Sequence, residues 1–205
     1  MRLILKHSPV RPTRMFWSVK NEALYFMESG LERDFALRCE FDPQVLSYRC
    51  QPEPLYYVLP GESRRRRYTP DTLLEHSVLG LSVIEVKPER YAQKPVLQAK
   101  HAQLERLYAE QNIRFLVMTE RHIRQGYFTR NLSNLYRFRR FDIDLDALSA
   151  LKQRFPNGMR LGDVEPELKQ SEGWLSLAYQ ALAHRHAQAD LTVPLSSETQ
   201  LEWTR

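Results

Sequence analysis

The sequence predicts an α/β protein: a sheet covered by helices, followed by a smaller domain. Three observations predict it. Helix-like periodicity and short β-prone runs follow one another through the first two thirds of the chain, in the order helix, strands with a hairpin, helix, strand. Residues 80–86, Gly-Leu-Ser-Val-Ile-Glu-Val, have the length and β-branched content of a buried strand. After Asp142-Ile-Asp-Leu-Asp146 the character changes to short, closely spaced helical segments. With 205 residues and 42% hydrophobic content, the chain can bury one mid-sized core and a small one.

The opening, Met1 to about Lys20, holds Arg2, Lys6, Arg11, Arg14 and Lys20 with Pro9 and Pro12, and it has no period. It reads either as a basic arm for phosphate or partner contact or as a solvated terminus. Between residues 22 and 40, Leu24, Leu31, Phe35 and Cys39 recur at helical spacing, interrupted at Gly30, so Ser29 is an alternative N-cap. Glu32 lies beside that apolar stripe, and Glu28, one turn earlier, competes with it. Val45–Cys50 and Leu55–Leu59 read as strands separated by Gln51-Pro-Glu-Pro. Residues 67–74 are expected to pair antiparallel with 80–86 through a turn near His76–Gly80. Residues 93–111 form a helix with Val96, Leu97, Leu104, Leu107 and Tyr108 as its apolar face; Lys94, Lys100, His101 and Arg106 make it basic. Ile113–Thr119 completes the core as a buried strand.

The segment Gln125–Arg140 is rich in Arg, Tyr and Phe, which suits either contact with DNA or an amphipathic closure of the core. Leu145–Phe155, Arg160–Leu168 and Glu172–Ala189 read as three helices, and Thr192–Leu195 with Gln200–Trp203 as a hairpin. That order resembles a winged helix, although the third helix offers only His184, Arg185 and His186 as donors. The expected domains are therefore an arm at 1–20, a core domain at 21–142 and a small domain at 143–205.

Residues 1–142 carry 24 basic and 16 acidic side chains; residues 143–205 carry six and nine. A basic core domain suits a polyanionic substrate, and an acidic appendage suits a protein partner. No apolar run approaches a membrane span, the N-terminus lacks a signal-peptide layout, and two cysteines are too few for a disulfide framework. A soluble cytoplasmic protein is expected.

The chemistry gathers around Tyr68-Thr-Pro-Asp71 and, thirteen residues after Asp71, Ile84-Glu-Val-Lys87. Side chains alternate along a strand, so Glu85 and Lys87 point the same way. Antiparallel pairing then sets Asp71 beside Glu85, two carboxylates with an ammonium next to them, which suits a divalent cation between the acids. This is the Pro-Asp … (Asp/Glu)-x-Lys, or PD-(D/E)xK, pattern of restriction-endonuclease-like nucleases. Arg64, Arg65, Arg66 and Arg67 stand just before this site. Four adjacent like charges must be solvated or bound to an anion, and contact with a duplex backbone fits, with alternation allowing only some of them to face it.

Ser29-Gly-Leu-Glu-Arg-Asp-Phe-Ala-Leu-Arg-Cys-Glu-Phe-Asp-Pro-Gln-Val45, Arg49-Cys-Gln-Pro52, Arg67-Tyr-Thr-Pro-Asp71 and Ile84-Glu-Val-Lys-Pro88 together resemble the TnsA endonuclease family. The resemblance implies a restriction-endonuclease-like core with a small C-terminal winged-helix-like domain. It implies a subunit of heteromeric cut-and-paste DNA transposases, including CRISPR-associated ones, cutting the 5′ ends of the element. The catalytic set it implies is Glu32, Asp71, Glu85 and Lys87, with Mg²⁺ (or Mn²⁺) held by Glu32, Asp71 and Glu85. Glu85 stands where some relatives carry Gln, which leaves one ion or two open. Gln51, Lys100 and the four arginines are the expected DNA contacts. The implied partners are duplex DNA at transposon ends, the DDE-type transposase TnsB and the ATPase regulator TnsC, with the C-terminal domain docking on the ATPase. The competing readings are a non-catalytic DNA-binding adaptor and a junction-resolving nuclease of the same fold.

Overall fold

The computed structural model describes residues 14–59, 61–164 and 173–204, so the arm expected at 1–20 is described only from residue 14. The chain divides into two compact units, one ending at Ile123 and one beginning at Arg124.

The first unit opens with a hairpin of β1 (Arg14–Ser18) and β2 (Ala23–Met27). This corrects the reading of 22–29 as helix: Leu-Tyr-Phe is β-prone, and pairing with β1 supplies its backbone hydrogen bonds. Helix α1 (Gly30–Phe41) then starts at Ser29, whose hydroxyl accepts from the Glu32 N–H. Leu31, Phe35 and Cys39 are buried along one stripe, whereas Leu24, on β2, is exposed. A buried carboxylate ties helix and hairpin together. Glu40, 1% exposed, accepts from the Ser18 hydroxyl, from Tyr48 Oη at 2.6 Å and from the Lys20 N–H at 3.1 Å.

β3 (Val45–Cys50), β4 (Leu55–Val58), β5 (Arg65–Tyr68), β6 (Thr72–His76) and β7 (Gly80–Val86) follow. A single turn, α2 (Glu89–Ala92), leads to α3 (Pro95–Ala109), then β8 (Arg114–Met118) and α4 (Glu120–Ile123). The main sheet has the order β3-β6-β7-β8, antiparallel except that β7 and β8 are parallel, with α3 making the crossover. The strand expected at 67–74 is broken in two. β5 leaves the main sheet to pair with β4, and β6 pairs with β7. Pro70, between them, has no N–H to continue a ladder.

Val83 faces α3 and joins Tyr68, Leu104, Tyr108 and Phe115 in one core cluster. α3 buries His101, Leu104 and Tyr108, at steps of three and four. Val96, expected on the apolar face, is 81% exposed, and His101, expected on the basic face, is buried. On the other side of the sheet Phe35 and Cys39 of α1 line a cavity of about 170 Å³ together with Leu74 and Ile84.

The second unit holds α5 (Phe128–Arg139), α6 (Leu145–Arg154), β9 (Met159–Arg160), a 3-10 turn (Leu161–Asp163), α7 (Trp174–Ala183), β10 (Ala187–Gln188) and β11 (Gln200–Trp203). Its strands run in the order β10-β11-β9. The division falls before α5 instead of at residue 142, because α5 packs against α7, with Phe138 stacked on Tyr179 at 5.2 Å. A helix was expected at 160–168; the described part of it is strand and 3-10 turn, and residues 165–172 lie outside the described residues. α7 stops at Ala183, well before Ala189, because Arg185 adopts a left-handed φ of 65° and reverses the chain into β10. The partner of β11 in that hairpin is Ala187–Gln188; Thr192–Leu195 is not strand. No helix among the described residues is long and apolar enough to cross a membrane.

Candidate active site

The β6–β7 register pairs Thr72 with Ile84, so Asp71, one residue earlier, stands opposite Glu85. Asp71 is pinned by its backbone and its side chain. Its carbonyl accepts from the Gln51 N–H at 2.9 Å, and its Oδ2 accepts from the Val86 N–H at 2.7 Å. Lys87 continues the parallel pairing past β7, donating its N–H to the Met118 carbonyl at 3.0 Å. Its Nζ thereby reaches both acids, at 2.9 Å from Glu85 Oε1 and 3.4 Å from Asp71 Oδ2. The remaining Glu85 oxygen, Oε2, accepts from Tyr68 Oη at 2.5 Å. Alternation along β7 thus aims Glu85 and Lys87 at one point, and the register delivers Asp71 to it.

Burial, with Glu85 alongside, pushes the Asp71 carboxyl up to about 7; Lys87 and the Val86 N–H pull against that rise. Burial works against the Lys87 ammonium, but Asp71 and Glu85 outweigh it and hold its pKa above the ordinary value. The Tyr68 phenol is driven up by burial and by the Glu85 charge, so it stays a donor. The donor set suits a hard divalent cation: oxygen ligands from two strands face one another, and one of them resists ionising until positive charge is near.

Glu32 is placed differently. Its Oε1 accepts from Ser29 Oγ at 2.8 Å and its Oε2 from the Glu28 N–H at 2.9 Å, so the side chain folds back over the start of its own helix. Burial raises its pKa, the Lys87 charge pulls against that rise, and its own charge acts on Asp71. Among the described residues no group of three or more His, Cys, Asp or Glu side chains is gathered closely enough to hold a metal ion. The structure therefore unites Asp71, Glu85 and Lys87 and keeps Glu32 beside them, engaged with its own helix. Gln51 adopts a left-handed φ of 47°, and its Nε2 points to Glu28 Oε1 at 3.4 Å. The competing acid Glu28 thus belongs to the same neighbourhood.

Arg64, Arg65, Arg66 and Arg67 are all exposed. The β4–β5 register opposes Tyr56 to Arg67, Tyr57 to Arg66 and Val58 to Arg65, so successive arginines point to alternate faces of the ribbon. Arg65 lies over the Tyr56 ring at 4.4 Å, and Arg66 pairs with Glu62 at 2.9 Å. A groove of about 740 Å³, lined by Tyr57, Arg64, Arg66, Val96, Lys100 and Gln103 among others, runs between this ribbon and α3. Lys100 Nζ sits 4.9 Å from the Tyr68 ring centre, which links the groove to the carboxylate pair.

Two side chains here were not assigned roles from sequence. Tyr68 stands in the recognised motif, but nothing local shows that its hydroxyl reaches Glu85. His101 is 7% exposed and its Nε2 has no hydrogen-bond partner among the described residues. Its spacing to Leu104 and Tyr108 was the available signal.

Residues 42–120 match the family model of the TnsA-like endonuclease N-terminal domain. No curated protein matches the chain significantly. The matched span runs from β3 to the start of α4 and contains Asp71, Glu85 and Lys87 but not Glu32. Over that span, which holds the paired acids and lysine on adjoining strands, the chain is similar to the TnsA-like endonuclease N-terminal domain.

Proposed function

We propose that this protein is a Mg²⁺-dependent DNA endonuclease that hydrolyses the 5′ strand at each end of a transposable element during cut-and-paste transposition. The convergence of Asp71 and Glu85 on Lys87 Nζ carries the reading. When bound, Mg²⁺ or Mn²⁺ polarises the scissile phosphate and lowers the pKa of the attacking water. Asp71 and Glu85 would hold the ion, with Glu32 as the third carboxylate. Lys87 offsets negative charge developing on the phosphate or orients the water. Tyr68 keeps the Glu85 carboxylate aimed. Those of Arg64, Arg65, Arg66 and Arg67 on the face turned to the duplex track its backbone together with Lys100, and Gln51 steadies Asp71 near the scissile phosphate.

The DDE-type transposase TnsB, cutting the 3′ strands, and the ATPase regulator TnsC are the proposed partners, all acting in the cytoplasm. The second unit is proposed as a winged-helix-like domain that docks on the ATPase. The order α6, β9, 3-10 turn, α7, β10, β11 and the sheet order β10-β11-β9 support that reading.

The test is cleavage of end-labelled element DNA in a reaction reconstituted with transposase and ATPase. Lys87→Ala is expected to bind DNA and assemble normally while leaving the 5′ strand intact; 5′ cleavage by that variant overturns the assignment. One observation favours a second reading, the non-catalytic adaptor: Glu32 is engaged at the start of its own helix. Asp71→Ala separates the two, because an adaptor supports transposition without that carboxylate.

A further inference from the structure

α5 was singled out for its Arg, Tyr and Phe content, and the nuclease reading leaves it without a task. Tyr127, Arg130, Asn134 and Arg137 recur at steps of three and four residues and are all exposed, so they form one stripe along the helix and its N-cap. The opposite side is buried through Thr129, Asn131, Leu132 and Leu135. Residues 124–141 carry five arginines and no Asp or Glu, whereas residues 142–205 carry six basic and ten acidic side chains. Five of the unit's eleven basic side chains therefore lie on α5 and the residues flanking it, with no acid among them.

The arginines are also supported. The Arg130 guanidinium lies 5.8 Å from the centre of the Tyr127 ring, and that of Arg137 lies 4.6 Å from the centre of the Phe138 ring. Phe138 in turn stacks on Tyr179. Planar guanidiniums resting on rings lose little freedom when they bind an anion. Beside them opens a cleft of about 480 Å³ whose lining includes Tyr127, Arg130, Asn134, Arg137, Tyr179 and Leu195. α7, the helix that a winged-helix order would send into a groove, carries no charged residue and buries half its length.

We propose that the outer stripe of α5 is a second duplex-DNA contact surface, with Arg130 and Arg137 on phosphates of one strand. The two are seven residues apart, about 10.5 Å along a helix rising 1.5 Å per residue. Two long arginine side chains set at that separation can each reach a phosphate of the same strand. Asn134 lies between them, an amide able to pair with a phosphate or an adenine edge. The flat, ring-backed arginines favour phosphate oxygens of a polyanion over an acidic polypeptide. The proposal concerns the second unit alone and does not depend on nuclease activity.

The experiment is fluorescence anisotropy of the full chain on a short labelled duplex of arbitrary sequence, in chelator, between about 50 and 200 mM salt. Arg130→Gln with Arg137→Gln keeps the stems on their rings and removes both charges. A charge-matched control carries Arg154→Gln with Arg185→Gln. The first pair is expected to reduce the slope of log affinity against log salt by about 2, at roughly 0.9 per lost phosphate contact, and the control to leave it nearly unchanged. Arg130→Lys with Arg137→Lys, which preserves the charge whatever the glutamine pair does to folding, is expected to keep the wild-type slope. An unchanged slope in the glutamine pair overturns the proposal. So does an equal fall in the control, or loss of polyglutamate binding with DNA binding intact.

Discussion

Tyr68 Oη donates to Glu85 Oε2 at 2.5 Å, joining the last residue of the basic β4–β5 ribbon to the acid on β7. Both residues are under 5% exposed. Tyr68→Phe keeps the ring packed on Phe115 and Tyr108 but leaves a buried carboxylate oxygen short of its donor. A loss of about 1–3 kcal/mol is expected in denaturant unfolding. Unfolding midpoints equal to wild type would show that the bond contributes nothing to the apo fold.

Ion binding in the absence of DNA should follow the paired acids. Asp71→Asn is expected to abolish Mn²⁺ binding measured by electron paramagnetic resonance. Glu32→Gln is expected to retain it, because the Glu32 oxygens are held by Ser29 and the Glu28 N–H. Equal loss in both variants would mean that Glu32 leaves those partners before DNA arrives.

Lys87 is expected to matter for rate and not for affinity. Its Nζ stands within 3.4 Å of both acids, where a transferred phosphate would develop charge. Lys87→Ala should lower single-turnover cleavage by about 10²–10³-fold, with DNA affinity within a factor of about two of wild type.

Glu40 predicts a purely structural loss. Glu40→Ala leaves the Ser18 and Tyr48 hydroxyls, 0% and 3% exposed, without their acceptor. A destabilisation of about 2–4 kcal/mol is expected, read by thermal or urea unfolding, without loss of the β6–β7 site.

His101 predicts a pH dependence. Burial depresses its pKa; Glu85 on β7 opposes that, while Lys100 on α3 and Lys87 after β7 add to it. A histidine whose folded pKa lies below its unfolded value contributes stability fully above the unfolded pKa, and that stability is lost as pH falls toward the folded one. Wild type should therefore lose stability as pH drops below about 6.5, and His101→Leu should lose less over the same range. Parallel pH profiles would show that the imidazole does not titrate in the fold.

Much of this was legible in the chain. Residues 80–86 and 95–109 carry their period in their own residues, and Glu85 and Lys87 share a direction because a strand alternates. Chain geometry alone sets these features, since each depends on neighbours only a few residues away. The charge contrast expected between residues 1–142 and 143–205 shrinks in the structure, because the second unit takes in the five arginines of residues 124–141. Tertiary structure decided which charges meet. Pro70 broke the expected strand and sent Arg65–Tyr68 to pair with Leu55–Val58, which is how Tyr68 came to reach Glu85. Hydrogen bonds from Ser29 Oγ and the Glu28 N–H engaged Glu32, packing of α3 on Phe115 buried His101, and packing on α7 drew α5 out of the core domain. These outcomes depend on register and on competing hydrogen bonds between distant segments, which no local pattern encodes.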